Sequence, residues 1–123
     1  MRLAFPIAIL CAAVTFTSGC RNKPTTAADA ASRVEAAKQI GNPGERDAAL
    51  EGACKDAARL GAGDAVLNGA MAIGNPGTRD AVLAESALLL RDAHQGTAAK
   101  EAAMRIGNPG NRDDVLKKLA SGS

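Results

Sequence analysis

Aromatic residues are almost missing from this chain of 123 residues. It has no Trp and no Tyr, and its two Phe, Phe5 and Phe16, both lie near the start. Past Phe16 no Phe, Tyr or Trp ring is left to stack on a nucleobase, which argues against single-stranded nucleic acid as a partner, and no aromatic cage can enclose a cation. A protein interface must then do without the side chains that usually dominate binding energy. An excess of one charge is also missing: 15 Lys and Arg face 13 Asp and Glu, with the signs interspersed. That is a solvated surface and not a nucleic-acid footprint. Histidine is represented by His94 alone, beside Gln95 and Gly96 in an expected turn. A single imidazole without partners at suitable spacing supports neither a metal site nor acid–base catalysis. No phosphate loop, dinucleotide fingerprint or nucleophile elbow occurs. The chain therefore reads as a non-enzyme, with no cofactor, no metal and no small-molecule substrate in evidence.

The N-terminus has a pattern of its own. Met1 and Arg2 give a basic start, residues 3–16 are mostly apolar, and Thr17, Ser18 and Gly19 lead to Cys20. The apolar run is shorter than the roughly 20 residues that span a bilayer, and its flanks are those of a secretory signal. Ser18, Gly19 and Cys20 resemble the lipobox of bacterial lipoproteins, with Thr17 standing where that family usually has Leu. The resemblance implies that residues 1–19 are removed and that Cys20 carries a diacylglycerol thioether. With acylation of the new amino group, two or three chains hold the protein to a membrane. Arg21, in place of Asp, implies the outer membrane, at its periplasmic face. Residues 20–27, with Pro24, Thr25 and Thr26, then form a lipidated tether. Of the three cysteines, Cys11 leaves with the signal and Cys20 takes the lipid, so Cys54 stands alone and no intramolecular disulfide forms. Cys54 reads as a small buried hydrophobe, with a reactive or intermolecular thiol as the alternative.

The remainder is organised by a phrase that occurs three times: IGNPGERDAAL at 40–50, IGNPGTRDAVL at 73–83 and IGNPGNRDDVL at 106–116. The copies are spaced 33 residues apart, a period that signals stacked structural repeats. Gly41, Gly74 and Gly107 stand where a left-handed residue would end one helix. Asn42, Asn75 and Asn108 are placed to cap the next, with Pro43, Pro76 and Pro109 at its first position. Glu45, three residues after Asn42, completes a capping-box pattern in the first copy.

Between the phrases the chain is Ala-rich and helix-prone. Ala49, Leu50, Ala53, Cys54, Ala57 and Leu60 make one apolar stripe, and Val82, Leu83, Ser86, Ala87 and Leu90 another. Further breaks fall at Gly61-Ala62-Gly63 and at His94-Gln95-Gly96. Six helices in antiparallel succession are expected, near 28–40, 45–60, 64–73, 79–93, 97–106 and 109–119. Small residues line the shorter ones (Ala36, Ala37, Gly69, Ala70, Ala102, Ala103), and Met71 and Met104 read as core fillers, or alternatively as an adaptable binding face. The expected fold is all-α: a short α-solenoid of antiparallel helical hairpins with a 33-residue repeat over residues 28–120, followed by a frayed tail at 121–123.

A longer helix, a Gly-containing turn, a shorter Ala-rich helix and a Pro-containing joint resemble tetratricopeptide-like repeats, without that family's aromatic positions. The Ile-Gly-x-Pro joint is also similar to HEAT-like repeats. Either resemblance implies a surface that binds a protein or peptide. The recurrent polar feature is an Arg-Asp pair: Arg46-Asp47, Arg79-Asp80 and Arg112-Asp113. One reading is a structural ladder, with Asp suiting the helix dipole and Arg pairing with a carboxylate of the neighbouring repeat. The other is a row of arginines, Arg46, Arg79 and Arg112, that reads an acidic segment of a partner. The sequence thus suggests a lipid-anchored module that binds another envelope protein as an adaptor or assembly factor. An immunity or exclusion lipoprotein that neutralises a toxin or incoming factor is the alternative.

Overall fold

The computed structural model describes residues 23–122; the signal expected at 1–19 and the lipidation site at Cys20 lie outside them. Six α-helices and no strand occur among the described residues: α1 (Ala27–Lys38), α2 (Pro43–Arg59), α3 (Gly63–Met71), α4 (Pro76–Asp92), α5 (Gly96–Met104) and α6 (Pro109–Ser121). Thr26 starts α1, its hydroxyl oxygen accepting from the N–H of Asp29 at 3.1 Å. The other long helices start alike. Asn42, Asn75 and Asn108 are extended N-caps, each followed by Pro at the head of the helix. Their side-chain oxygens accept from the N–H groups of Glu45, Thr78 and Asn111 at 3.0 to 3.1 Å. The capping pattern is one-sided in the first copy, because the Glu45 carboxylate makes no return bond to Asn42.

The helices that lead into each phrase end sooner than expected. α1, α3 and α5 stop two residues short of Ile40, Ile73 and Ile106. Their last turn tightens into i→i+3 bonds, such as Ile73 N–H to the Ala70 carbonyl at 3.1 Å, which satisfy carbonyls that an α-helix would leave open. Gly41, Gly74 and Gly107 are not left-handed, contrary to expectation. Positive φ occurs instead in the other turns, at Gly61 (73°), His94 (61°) and Gly122 (67°). Gly61 and His94 occupy the same place one period apart, and Gly122 closes α6, which runs to Ser121 and not only to Leu119.

The helices pack in two interleaved series. α2 touches α4 and α4 touches α6, while α1 touches α3 and α3 touches α5; each helix also packs on the next in sequence. No other pair is in contact among the described residues. The apolar stripe of α4 is buried as its spacing predicts, with Val82, Leu83, Ala87 and Leu90 at 1% exposure or less. On α2, Leu50, Cys54 and Ala57 are buried, together with Ala58. Small residues do carry the close contacts of the shorter helices, with Gly69, Ala70, Ala102 and Ala103 buried. Two expectations are corrected. Ala36 is exposed, because no helix precedes α1 to cover that side among the described residues. Met71 and Met104 are 46% and 53% exposed and fill no core gap; each is the last residue of a short helix whose inward face is already occupied by Ala.

Ser86 is the one buried polar residue of the core, and its hydroxyl has no hydrogen-bond partner among the described residues. Ser86→Ala removes a desolvated donor and improves helix propensity. It should stabilise the protein by about 1 kcal/mol, read as a raised urea midpoint.

Candidate interaction surface

The Arg-Asp pairs recur at the same place in three helices. The N–H groups of Arg46, Arg79 and Arg112 each bond the carbonyl of the capping Asn, at 2.8, 2.9 and 3.0 Å, so each pair sits in the first turns of α2, α4 or α6. The structure assigns the two residues of a pair different tasks. The Asp47 carboxylate accepts from the N–H of Gly74 at 3.0 Å and of Asn75 at 3.1 Å. One period on, Asp80 accepts from Gly107 and Asn108, both at 3.0 Å. Each Asp thus grips the phrase that starts the next long helix, where the exposed N–H groups and the helix dipole favour a negative charge. A Cβ at Gly74 or Gly107 would meet the gripping carboxylate at 3.7 Å and 3.4 Å, ordinary contact distances, so the grip uses the backbone N–H and does not by itself demand glycine.

These bonds hold the Asp47 carboxyl below its usual pKa; the Gly74 N–H is the main cause, opposed by partial burial and helped by the Asn75 N–H and Arg46. A carboxyl with a lowered folded-state pKa contributes stability above its unfolded pKa and loses it as pH falls through the folded value. Asp47→Asn should therefore lower the melting temperature at neutral pH and match the native chain in strongly acid buffer. Asp80→Asn keeps one acceptor but sets an amide NH2 against a backbone N–H. It should cost about 1–2 kcal/mol at neutral pH, measured by chemical unfolding.

The arginines do not form the expected ladder with carboxylates of neighbouring repeats. Arg46 Nε lies 4.0 Å from its own neighbour Asp47 and has no hydrogen-bond acceptor. Arg79 and Arg112 are half-buried and make no ion pair among the described residues. The charged contacts between successive units come from elsewhere. Lys55 bridges Glu51 and Glu85 at 2.9 Å each, linking α2 to α4. Lys38 and Glu35 of α1 meet Asn68 of α3 at 3.0 and 2.6 Å. The Asp grip was the feature that spacing within a single phrase did not reveal. Its only signal was the constant separation between each Asp and the next Gly-Asn.

Cys54 is fully buried, and desolvation pushes its thiol up to about 12. It stays a thiol at neutral pH, which favours the packing reading over the reactive one. His94 is an exposed turn residue. No cluster of metal-ligating side chains occurs among the described residues, and none of the described helices is long and apolar enough to cross a membrane. Two shallow apolar grooves of ≈ 360 Å³ lie at opposite ends of the helix series. One is bounded by α1 and α2 around Ala36, Ile40 and Ala53, the other by α5 and α6 around Ala99, Leu116 and Leu119. Compared with known proteins, the chain matches no protein family, no curated protein and no solved structure.

Proposed function

We propose that this chain is a lipid-anchored helical-repeat module that binds another protein of the bacterial envelope. The observation that carries the repeat half of this reading is the Asp grip, made twice with the same atoms one 33-residue period apart. Contacts that reach only the next two helices also suit an α-solenoid, in which each unit touches its neighbours alone. Cys20, preceded by Ser18 and Gly19, supports the anchor, with the outer membrane's periplasmic face as its place. The binding surface is drawn from the end of the bundle that holds the phrases. Arg46, Arg79 and Arg112 recur there without a carboxylate from a neighbouring unit, and Met71 and Met104 add exposed apolar area one period apart. Such a row suits an acidic segment with apolar side chains between its charges.

Two measurements test the proposal. Cys20→Ser in the native host should abolish incorporation of labelled fatty acid and release the protein from the membrane fraction; retention of label removes the anchor. Cross-linking of the tagged chain in whole cells should capture one specific envelope protein, and capture should fall at least tenfold when Arg46, Arg79 and Arg112 are all changed to Gln. Undiminished capture removes the arginines from the interface.

A further inference from the structure

We infer that the two ends of the helix series bind each other, so that a second copy of this chain docks head to tail and continues the stack. The inference rests on the repeat reading above, not on the lipid anchor. The interface it needs is already made inside the chain, where each Asp of a phrase grips the N–H groups of the next Gly-Asn. Each end of the series holds one half of that contact. Asp113, the third Asp, meets no donor among the described residues, and the N–H groups of Gly41 and Asn42, in the first phrase, meet no acceptor. Open space surrounds Gly41.

The apolar faces are divided in the same way. Ile40 is half-buried and Ala36 exposed, whereas their counterparts one period on, Ile73 and Gly69, are buried. At the other end Leu116 is half-buried and Ala120 exposed, whereas the matching Leu83 and Ala87 are both fully buried. The grooves at the two ends are these uncovered halves of the internal interface. The helices complement each other too. Among the described residues the series opens on a short-series helix, α1, and closes on a long-series helix, α6, and each lacks there the partner that the other supplies. α1 has 12 residues against 9 in α3 and α5, and α6 has 13 against 17 in α2 and α4. In the docked pair α1 of one copy lies on α5 and α6 of the other, its extra turn filling the space that the shorter α6 leaves. The carboxylate of Asp113 then accepts from Gly41 and Asn42 of the second copy.

Full-length chains in mild detergent, labelled with a donor or an acceptor fluorophore, test this. Native chains should show energy transfer, and Asp113→Asn should weaken association by on the order of tenfold. Ala36→Arg blocks one end and Ala120→Arg the other; both side chains are exposed, so the fold tolerates the change. Neither variant should associate with itself, while a mixture of the two should regain transfer, because each keeps the end that the other has lost. Dilution with an excess of empty micelles first removes any transfer caused by shared micelles. Absence of transfer between native chains, or failure of the mixture to recover it, overturns the inference and leaves the ends to another occupant. Persistent association of either variant with itself overturns it by showing same-face pairing. The stability loss of Asp80→Asn reads stacking within one chain, so it separates failure of self-association from failure of the repeat reading.

Discussion

Leu83→Ala should lower stability by about 2–5 kcal/mol, the range for emptying a fully buried leucine position. Leu83 has no exposed surface and lies on α4, the helix that touches α2, α3, α5 and α6. Its loss opens a void where few neighbours can move in, since much of the surrounding core is Ala that cannot extend. Against the 5–15 kcal/mol that holds a typical domain together, this leaves the chain near its unfolding threshold. Leu116, at the matching place on α6, is only half-buried among the described residues, and Leu116→Ala should cost only about 1 kcal/mol in the isolated chain. Urea unfolding followed by circular dichroism compares the two. Equal losses would show that stability is not concentrated at α4 and would count against the packing described above.

Much of this arrangement was legible because local chemistry and tertiary packing agree. Asn followed by Pro can do little else but open a helix, and it does so at Asn42, Asn75 and Asn108. The stripe from Val82 to Leu90 has the helical period and is buried throughout. What could not be read were properties set by neighbours in space. Met71 and Met104 are apolar, yet whether a residue at the last turn of a helix faces inward depends on the crossing of the next helix, and both face out. Ala36 matches buried positions in the later units, Gly69 and Ala102, but no helix covers it among the described residues. The glycines of the phrases looked like left-handed caps because that is the commonest local reason for glycine at a helix end. Their backbone is not left-handed, and at Gly74 and Gly107 the N–H instead serves an aspartate 27 residues earlier, Asp47 and Asp80. The candidate arginines were placed correctly in the first turns, but their expected carboxylate partners belong to a different pairing, in which backbone N–H groups take the acidic side chain.

Gly69→Ala should destabilise the chain although it replaces glycine inside a helix, a change that on an exposed face would gain about 1 kcal/mol. A Cβ at position 69 would stand 2.5 Å from Cys54 Sγ and 2.8 Å from Val34 Cγ1. Both neighbours are fully buried, so neither can swing into solvent, and α1, α2 and α3 must part to admit the methyl group. Overpacking of this kind costs about 1–3 kcal/mol, enough to reverse the propensity gain. The next unit of the chain shows how the conflict is avoided. The positions equivalent to Cys54 and Gly69 are Ala87 and Ala102, both fully buried; where the long helix carries the smaller side chain, the short helix carries the larger. Cys54→Ala should therefore rescue Gly69→Ala, with a favourable coupling of about 1 kcal/mol in the double-mutant cycle, while Cys54→Ala alone loses stability by leaving a small void. Additive losses in that cycle would mean that Val34, and not the thiol, sets the limit at Gly69. The steric conflict would then be traced to α1, and Val34→Ala would be the substitution that restores the fold.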